Sequence, residues 1–183
     1  MGKISVSSYN TGAAAVEGED ISNKYWQAVS AGQKKEYKIA KELLKSIIAG
    51  KFDKKYSPLA LLDFYSFTAK EEQTKDSKSI TPNTEYNDLL KGLYDRPLND
   101  SLRPFAVRLL SREAALSKNN ADVVKYNTEL INNYPNSSNE LAALYDLVIY
   151  YNIIENSHEK ANKYLTMMKC LHTRKKTLHY LHK

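Results

Sequence analysis

Apolar residues along most of this chain recur at the spacing of one helix face. Tyr37, Ala40, Leu43, Leu44, Ile47 and Ile48 follow the i, i+3, i+4, i+7 pattern. Before them, Ser22-Asn23 can cap a short helix carrying Tyr25, Trp26 and Val29, stopped near Gly32. Gly50 ends the second helix, and Ser57-Pro58 opens a third whose Leu59, Leu61, Leu62, Phe64, Tyr65 and Phe67 are apolar nearly all round, as in a helix buried mid-stack. Thr81-Pro82 restarts the pattern with Tyr86, Leu89, Leu90, Leu93 and Tyr94, and Arg96-Pro97 stops it. Asn99 or Ser101 opens a fifth helix with Phe105, Val107, Leu109, Leu110, Ala114 and Leu116. After the turn Lys118-Asn119-Asn120 come Val123, Val124, Tyr126, Leu130 and Ile131. Residues 138–155 form the strongest helix, with Leu141, Ala142, Leu144, Tyr145, Val148, Ile149, Tyr151 and Ile153. Ser157 caps a last one with Ala161, Tyr164, Leu165 and Met168.

The breaks between these runs matter as much as the runs. Tyr134-Pro135-Asn136-Ser137, and the looser Tyr56-Ser57-Pro58, each sit between two amphipathic stretches. Proline cannot continue a helix, and Asn or Ser can cap the next. A repeated junction of this kind predicts helix hairpins stacked as an α-solenoid. The count is eight helices in four hairpins, and short connections make neighbours antiparallel. The fold class is therefore all-α. Three segments follow: a loose lead-in over residues 1–21, a helical repeat domain over 22–170, and a basic tail over 171–183. Ile4, Val6 and Tyr9 hint at a short strand in the lead-in. Lys70–Ser79 reads as a charged loop, and Thr173 onward as a frayed end.

Composition sharpens this picture at three points. The chain has 183 residues, 42% hydrophobic and 26% charged, with only 6 Gly and 5 Pro, which suits a helical globular protein better than a turn-rich β fold. Tyrosine dominates the aromatics, 14 against 4 Phe and 1 Trp, and its wettable ring suits thin helical layers. The net charge of +6 is concentrated at the end: Lys169, Arg174, Lys175, Lys176 and Lys183 face no acid in residues 169–183. Such a tail can touch nucleic acid or an anionic membrane, or simply be solvated.

Candidate chemistry is sparse. Cys170 is alone, which excludes an internal disulfide and a Cys-rich zinc site. His158, His172, His179 and His182 share no clean helical face with acids. Glu71-Glu72 and Glu17, Glu19 and Asp20 lie in loops, not as a carboxylate pair in a pocket. Ser57, Ser137 and Ser157 read as caps, not nucleophiles. Glycines are isolated, so no phosphate-cradling loop is expected. No catalytic residue, metal or cofactor is expected, and the chain reads as a non-enzyme. No run of residues reaches the roughly 18 apolar positions of a membrane span, and residues 1–7 lack the apolar core of a signal peptide. The chain is then either cytoplasmic or a piece of a longer exported protein.

Leu147-Val148-Ile149-Tyr150-Tyr151 followed by Glu159-Lys160-Ala161-Asn162-Lys163-Tyr164-Leu165 resembles the tetratricopeptide repeat. Val148 stands where a small Gly is usual, and the turn is one residue longer. Leu110-Ser111 with Val123 and Pro135 fits the preceding unit, with Asn127 where a large aromatic belongs. The string at 130–137, Leu-Ile-Asn-Asn-Tyr-Pro-Asn-Ser, is similar to the divergent bacterial form found in periplasmic, lipoprotein and secreted surface proteins. The resemblance implies a right-handed solenoid whose first helices line a groove for a peptide or partner protein. Arg108, Arg112, Tyr145 and Tyr150 are the candidate partner-binding residues. The plainer reading makes the two tyrosines inter-repeat packing and the two arginines solvated. A module that binds a protein or peptide, or only spaces other parts, is the leading functional reading, and binding of nucleic acid or an anionic surface through the tail is the other.

Overall fold

A computed structural model of the chain describes residues 13–73 and 84–181, and the side chains of residues 20–73 and 85–171. The described residues are helical throughout, with no strand: α1 (Ala13–Gln33), α2 (Tyr37–Ala49), α3 (Tyr56–Gln73), α4 (Thr84–Tyr94), α5 (Arg103–Leu116), α6 (Asn120–Asn133), α7 (Ser138–Ile149), a π-turn (Tyr150–Ile154) and α8 (His158–Leu181). The all-α class and the eight helices hold. Contacts divide the chain into two compact units, Met1–Tyr86 and Asn87–Lys183. In the first, α1 packs on α2, α2 on α3, and α1 also touches α3; in the second, α5 packs on α6, α6 on α7, α7 on α8, and α5 touches α7. Each unit thus has the solenoid-like arrangement of hairpins laid on sequence neighbours.

The lead-in was expected to be loose, yet α1 starts at Ala13, so residues 13–21 belong to a helix. Ser22 is consequently mid-helix and not a cap; its hydroxyl donates to Tyr56 Oη at 2.8 Å. The suggested strand around Ile4 and Val6 lies outside the described residues. The charged loop also begins later than expected, because α3 runs on to Gln73; its remainder and Thr81-Pro82 lie outside the described residues. The expected frayed end is helix as well, since α8 continues to Leu181. In each case Ala, Glu, Lys and Leu are good helix formers, and a polar stretch of them extends a helix that packing has already nucleated.

Local caps explain most boundaries. Asp53 Oδ1 accepts from Lys55 N and Tyr56 N at 2.8 and 2.6 Å, while Ser57 Oγ accepts from Asp53 N at 2.9 Å. Asp53 therefore opens α3, and Ser57 answers it. Neither Asn99 nor Ser101 caps α5: the helix follows Leu102 without a side-chain cap, and Asp100 Oδ1 accepts from Leu102 N at 2.8 Å in the turn before it. Ser137 caps α7 in a Ser-x-x-Glu box: its Oγ accepts from Glu140 N at 3.1 Å, and the Glu140 carboxylate accepts from Asn136 N. Asn136 has φ 66°, a left-handed turn residue that Asn tolerates. Gly32 answers a close approach instead: a Cβ there would stand 2.2 Å from Phe67 Cζ.

The first unit is centred on Ala28, Ala40, Leu44, Ile48, Ala60, Leu61 and Phe64, all essentially buried. Lys41 is buried among them and bridges Glu71 Oε2 at 2.6 Å and Glu85 Oε2 at 2.7 Å, with Lys45 on Glu85 Oε1 at 2.6 Å. This ties α2 to the end of α3 and the start of α4. Burial alone would raise the Glu85 carboxyl, but hydrogen bonds from Lys41 and Lys45 outweigh it and hold it below its ordinary value. α3 is not apolar all round in effect: Leu59 and Leu62 face solvent.

The second unit gathers Val107, Leu130, Ile131, Ala143, Leu144, Leu147, Tyr151, Ala161 and Leu171. Its polar anchor is Arg103, only 9% exposed at the side chain. Nε donates to the Tyr94 carbonyl at 2.7 Å, Nη1 donates to Tyr134 Oη at 2.5 Å, and Nη1 lies 2.7 Å from Glu129 Oε1. Glu129 Oε1 finds no aligned hydrogen bond, so that last contact is ionic rather than directional. Tyr94 Oη donates to Glu129 Oε2 at 3.0 Å, and burial first, then Glu129, pushes its phenol up to about 12. Asn127 is wholly buried, and neither of its side-chain polar atoms has a hydrogen-bond partner.

Candidate partner-binding face on α7

α7 is apolar on nearly every side, and packing uses only one of them. Glu140, Ala143, Leu144 and Leu147, with Tyr151 beyond, turn inward. Leu141, Tyr145 and Ile149, at i, i+4 and i+8, turn out and are 40%, 55% and 38% exposed. Asp146 accepts an ion pair from Arg108 Nη1, which ties α7 to α5. A turn of about 100° per residue puts Leu141 about 140°, Tyr145 about 100° and Ile149 about 60° from Asp146, so the three run along the side of α7 next to the edge that Asp146 turns to Arg108.

A π-turn follows α7. Glu155 N donates to Tyr150 O at 3.1 Å, and Ser157 N donates to Tyr151 O at 2.7 Å. These wider bonds take up an extra residue in one turn, as π-turns inside helices do. Tyr151 stays inward, stacked on Tyr164 with centroids 5.5 Å apart and planes 4° from parallel. Ile153 and Ile154 are both left outside, the most exposed large aliphatics of the segment. These two, with Leu141 and Ile149, are the residues that sequence reasoning assigned to a core or left unassigned. Nothing in a helical period tells an inward apolar position from an outward one when every side is apolar.

The four candidate residues end in different places. Tyr145 lies at the centre of the exposed stripe. Tyr150 is half-buried, edge-on to Tyr151 at 5.0 Å and packed against the core. Arg108 is half-exposed and bound to Asp146 instead of being solvated. Arg112 is exposed one turn further along α5, beside Glu113, whose carboxyl burial raises and Arg112 partly draws back down. Of the four, only Arg108 is tied to α7 from another helix, through Asp146, and the helical turn sets Tyr150 about 140° around from Tyr145.

Elsewhere in the second unit, an open hollow of about 650 Å³ beside Arg103 is lined by Val124, Lys125, Thr128, Glu129 and Asn132. Its central charges neutralise one another, and Lys125 lies over the Tyr126 ring at 4.9 Å. In the first unit, Trp26 is 58% exposed and edge-on to Tyr25, whose hydroxyl donates to Asp63 Oδ2 at 2.6 Å. Cys170 is exposed, and His158 Nδ1 lies 2.7 Å from Asn152 Oδ1. Among the described residues, no three His, Cys, Asp or Glu side chains gather as a metal site, and no helix is long and apolar enough to cross a membrane.

No family model matches the chain, and no curated protein or solved structure matches it either.

Proposed function

We propose that this chain is a non-catalytic, tetratricopeptide-like interaction module that binds a protein or peptide on the outward face of α7. One observation carries the reading: Leu141, Tyr145 and Ile149, four residues apart, are exposed apolar side chains along one side of a helix otherwise fixed by its cap and core, and Ile153 and Ile154 stand exposed just beyond it. Contiguous apolar surface of this kind marks association sites, whereas isolated exposed leucines do not. Tyr at its centre is a good anchor, since an aromatic loses little rotamer freedom on binding. The resemblance to the divergent bacterial repeat supports a place in the cell envelope or in a secreted protein, with a cytoplasmic one as the alternative.

A tagged chain and its Tyr145→Glu and Ile153→Glu variants test this by co-purification of untagged copies or other proteins. Both charges should abolish what the wild type retains. Retention indifferent to both would refute the reading.

Binding of nucleic acid or an anionic surface is the second reading. It is favoured by α8 continuing as helix through the segment that holds Arg174, Lys175 and Lys176. It predicts capture that falls steeply with salt, whereas apolar capture on α7 should not.

A further inference from the structure

We infer that the open hollow beside Arg103 is a binding site for a small monocarboxylate with an uncharged, partly apolar body, in chemistry an N-acylated amino acid. The site is separate from the α7 face and does not depend on that reading. It is built on α6, the second helix of its hairpin, and so lies outside the groove that the repeat resemblance assigns to first helices. Its floor is a fixed guanidinium. Arg103 lines the hollow although only 9% of its side chain is exposed. Nε is held by the Tyr94 carbonyl, and Nη1 by Tyr134 and Glu129. Nη2 makes no hydrogen bond among the described residues, so two N–H groups of a nearly buried, rigidly held cation are left for a ligand. Buried donors are normally matched, and one left open beside a hollow marks a place for an acceptor.

Charge selects the acceptor. Three ionised side chains line the hollow: Arg103, Glu129 and Lys125. The first two neutralise each other, and Lys125 has no carboxylate partner among the described residues. Its amine is held instead over the Tyr94 and Tyr126 rings, 5.5 and 4.9 Å from their centroids, and Arg103 Cζ lies over the same Tyr94 ring at 4.8 Å. One positive charge is left, and one carboxylate balances it. A phosphate group, at about −1.5 to −2, would overshoot beside Glu129. An ammonium finds no anion, because Glu129 Oε2 already accepts from Tyr94 Oη and Oε1 is fully buried. The remaining lining describes the remainder of the ligand. Thr128, Asn132 and Asn133 make no side-chain hydrogen bond among the described residues and can pair with an amide. Leu98, 56% exposed, and Val124 offer apolar contact to a side chain. The volume of about 650 Å³ falls within the range of small-molecule sites.

N-acetylleucine is the probe, titrated into the isotope-labelled full chain and followed by backbone amide shifts. A ligand of about 12 non-hydrogen atoms should saturate with a dissociation constant on the order of 1 mM. The amides that move should lie on α6 around Lys125, Thr128 and Asn132. N-acetylleucinamide lacks the charge, free leucine adds an ammonium, and inorganic phosphate adds a second charge; each should bind about tenfold more weakly. Lys125→Gln, at an exposed side chain, should lose about tenfold in affinity with its helix content by circular dichroism unchanged, whereas Lys54→Gln in the other unit should lose nothing. Acetyl-Ala-Ala-Leu with a free C-terminus separates the two sources of such a carboxylate: tighter binding than N-acetylleucine assigns the site to the end of a chain, and binding no tighter assigns it to a free acid. Shifts that stay linear to ten times the expected constant overturn the site. Equal binding of the acid and its amide, phosphate as tight as the acid, or a Lys125→Gln variant that binds like the wild type overturns the assignment of a carboxylate to it.

Discussion

Replacing Arg103 by Met keeps an unbranched apolar stem and removes the guanidinium charge from a site where nothing can substitute for it. Arg103 and Glu129 are 9% and 14% exposed at their side chains, too little for water to take over. Arg103→Met leaves the Glu129 carboxylate facing a thioether and takes the donor from both the Tyr94 carbonyl and Tyr134 Oη. Breaking a buried pair from one side costs about 3–5 kcal/mol, because the remaining charge stays desolvated. Tyr94 Oη still donates to Glu129, which places the expected loss near the lower end, about 3 kcal/mol. That is a large share of the roughly 5–15 kcal/mol that keeps a domain folded. If the orphaned charge is the cause, Arg103→Met with Glu129→Leu should recover most of the loss, with a coupling of about 2 kcal/mol across the cycle. Urea unfolding of the four proteins, followed by circular dichroism, measures it. A single substitution costing under about 1 kcal/mol, or a double no better than the single, would refute the claim that this network anchors the unit.

Further outcomes are expected at five positions. Leu144→Ala, at a fully buried position, should cost about 3–5 kcal/mol in the same assay, and an unchanged midpoint would remove Leu144 from the core. Asn127→Ala should be close to neutral, because the lost packing is offset by about 1–3 kcal/mol from removing an unbonded buried amide; a loss as large as that of Leu144→Ala would show that the amide is bonded after all. The Glu85 carboxyl is held below its ordinary value of 4.5, so the stability it supplies is complete above that pH and fades as the pH falls through the lower, folded value. Glu85→Gln should flatten that acid limb of the stability profile, and an unchanged profile would count against the Lys41–Glu85 tie. Pro135→Ala should shift stability by less than about 0.5 kcal/mol, since Pro135 is exposed. Ser137→Ala should cost about 1 kcal/mol through its cap on Glu140 N, and equal effects from the two would refute the assignment of that cap.

The helices were legible because their causes are local. The period of Ala40, Leu44, Ile47 and Ile48 is the buried face of α2, Asn119 and Ser137 cap α6 and α7, and Tyr134-Pro135 ends α6 where a missing N–H must. Of the candidate face, Tyr145 was named in the sequence only through the groove that the repeat resemblance implies. The loose lead-in was misread because weak local patterning at residues 13–21 conceals a helix that its neighbours complete.

What the sequence by itself determined is therefore the set of helices, their order and their hairpin junctions, since propensity, caps and breakers act over a few residues. Only the tertiary structure decided which side of each helix is inside. α7 has apolar residues on nearly all sides, and it is the packing of α6 and α8 against Ala143, Leu144 and Leu147 that leaves Leu141, Tyr145 and Ile149 to solvent. Lys41 and Arg103 show the same thing with opposite sign. Both are cations buried because carboxylates far away in the chain, Glu71 and Glu85 for one and Glu129 for the other, are brought within about 3 Å of them. Burial is a property of what packs nearby, and residues 26 to 44 positions apart become neighbours only once the chain has folded.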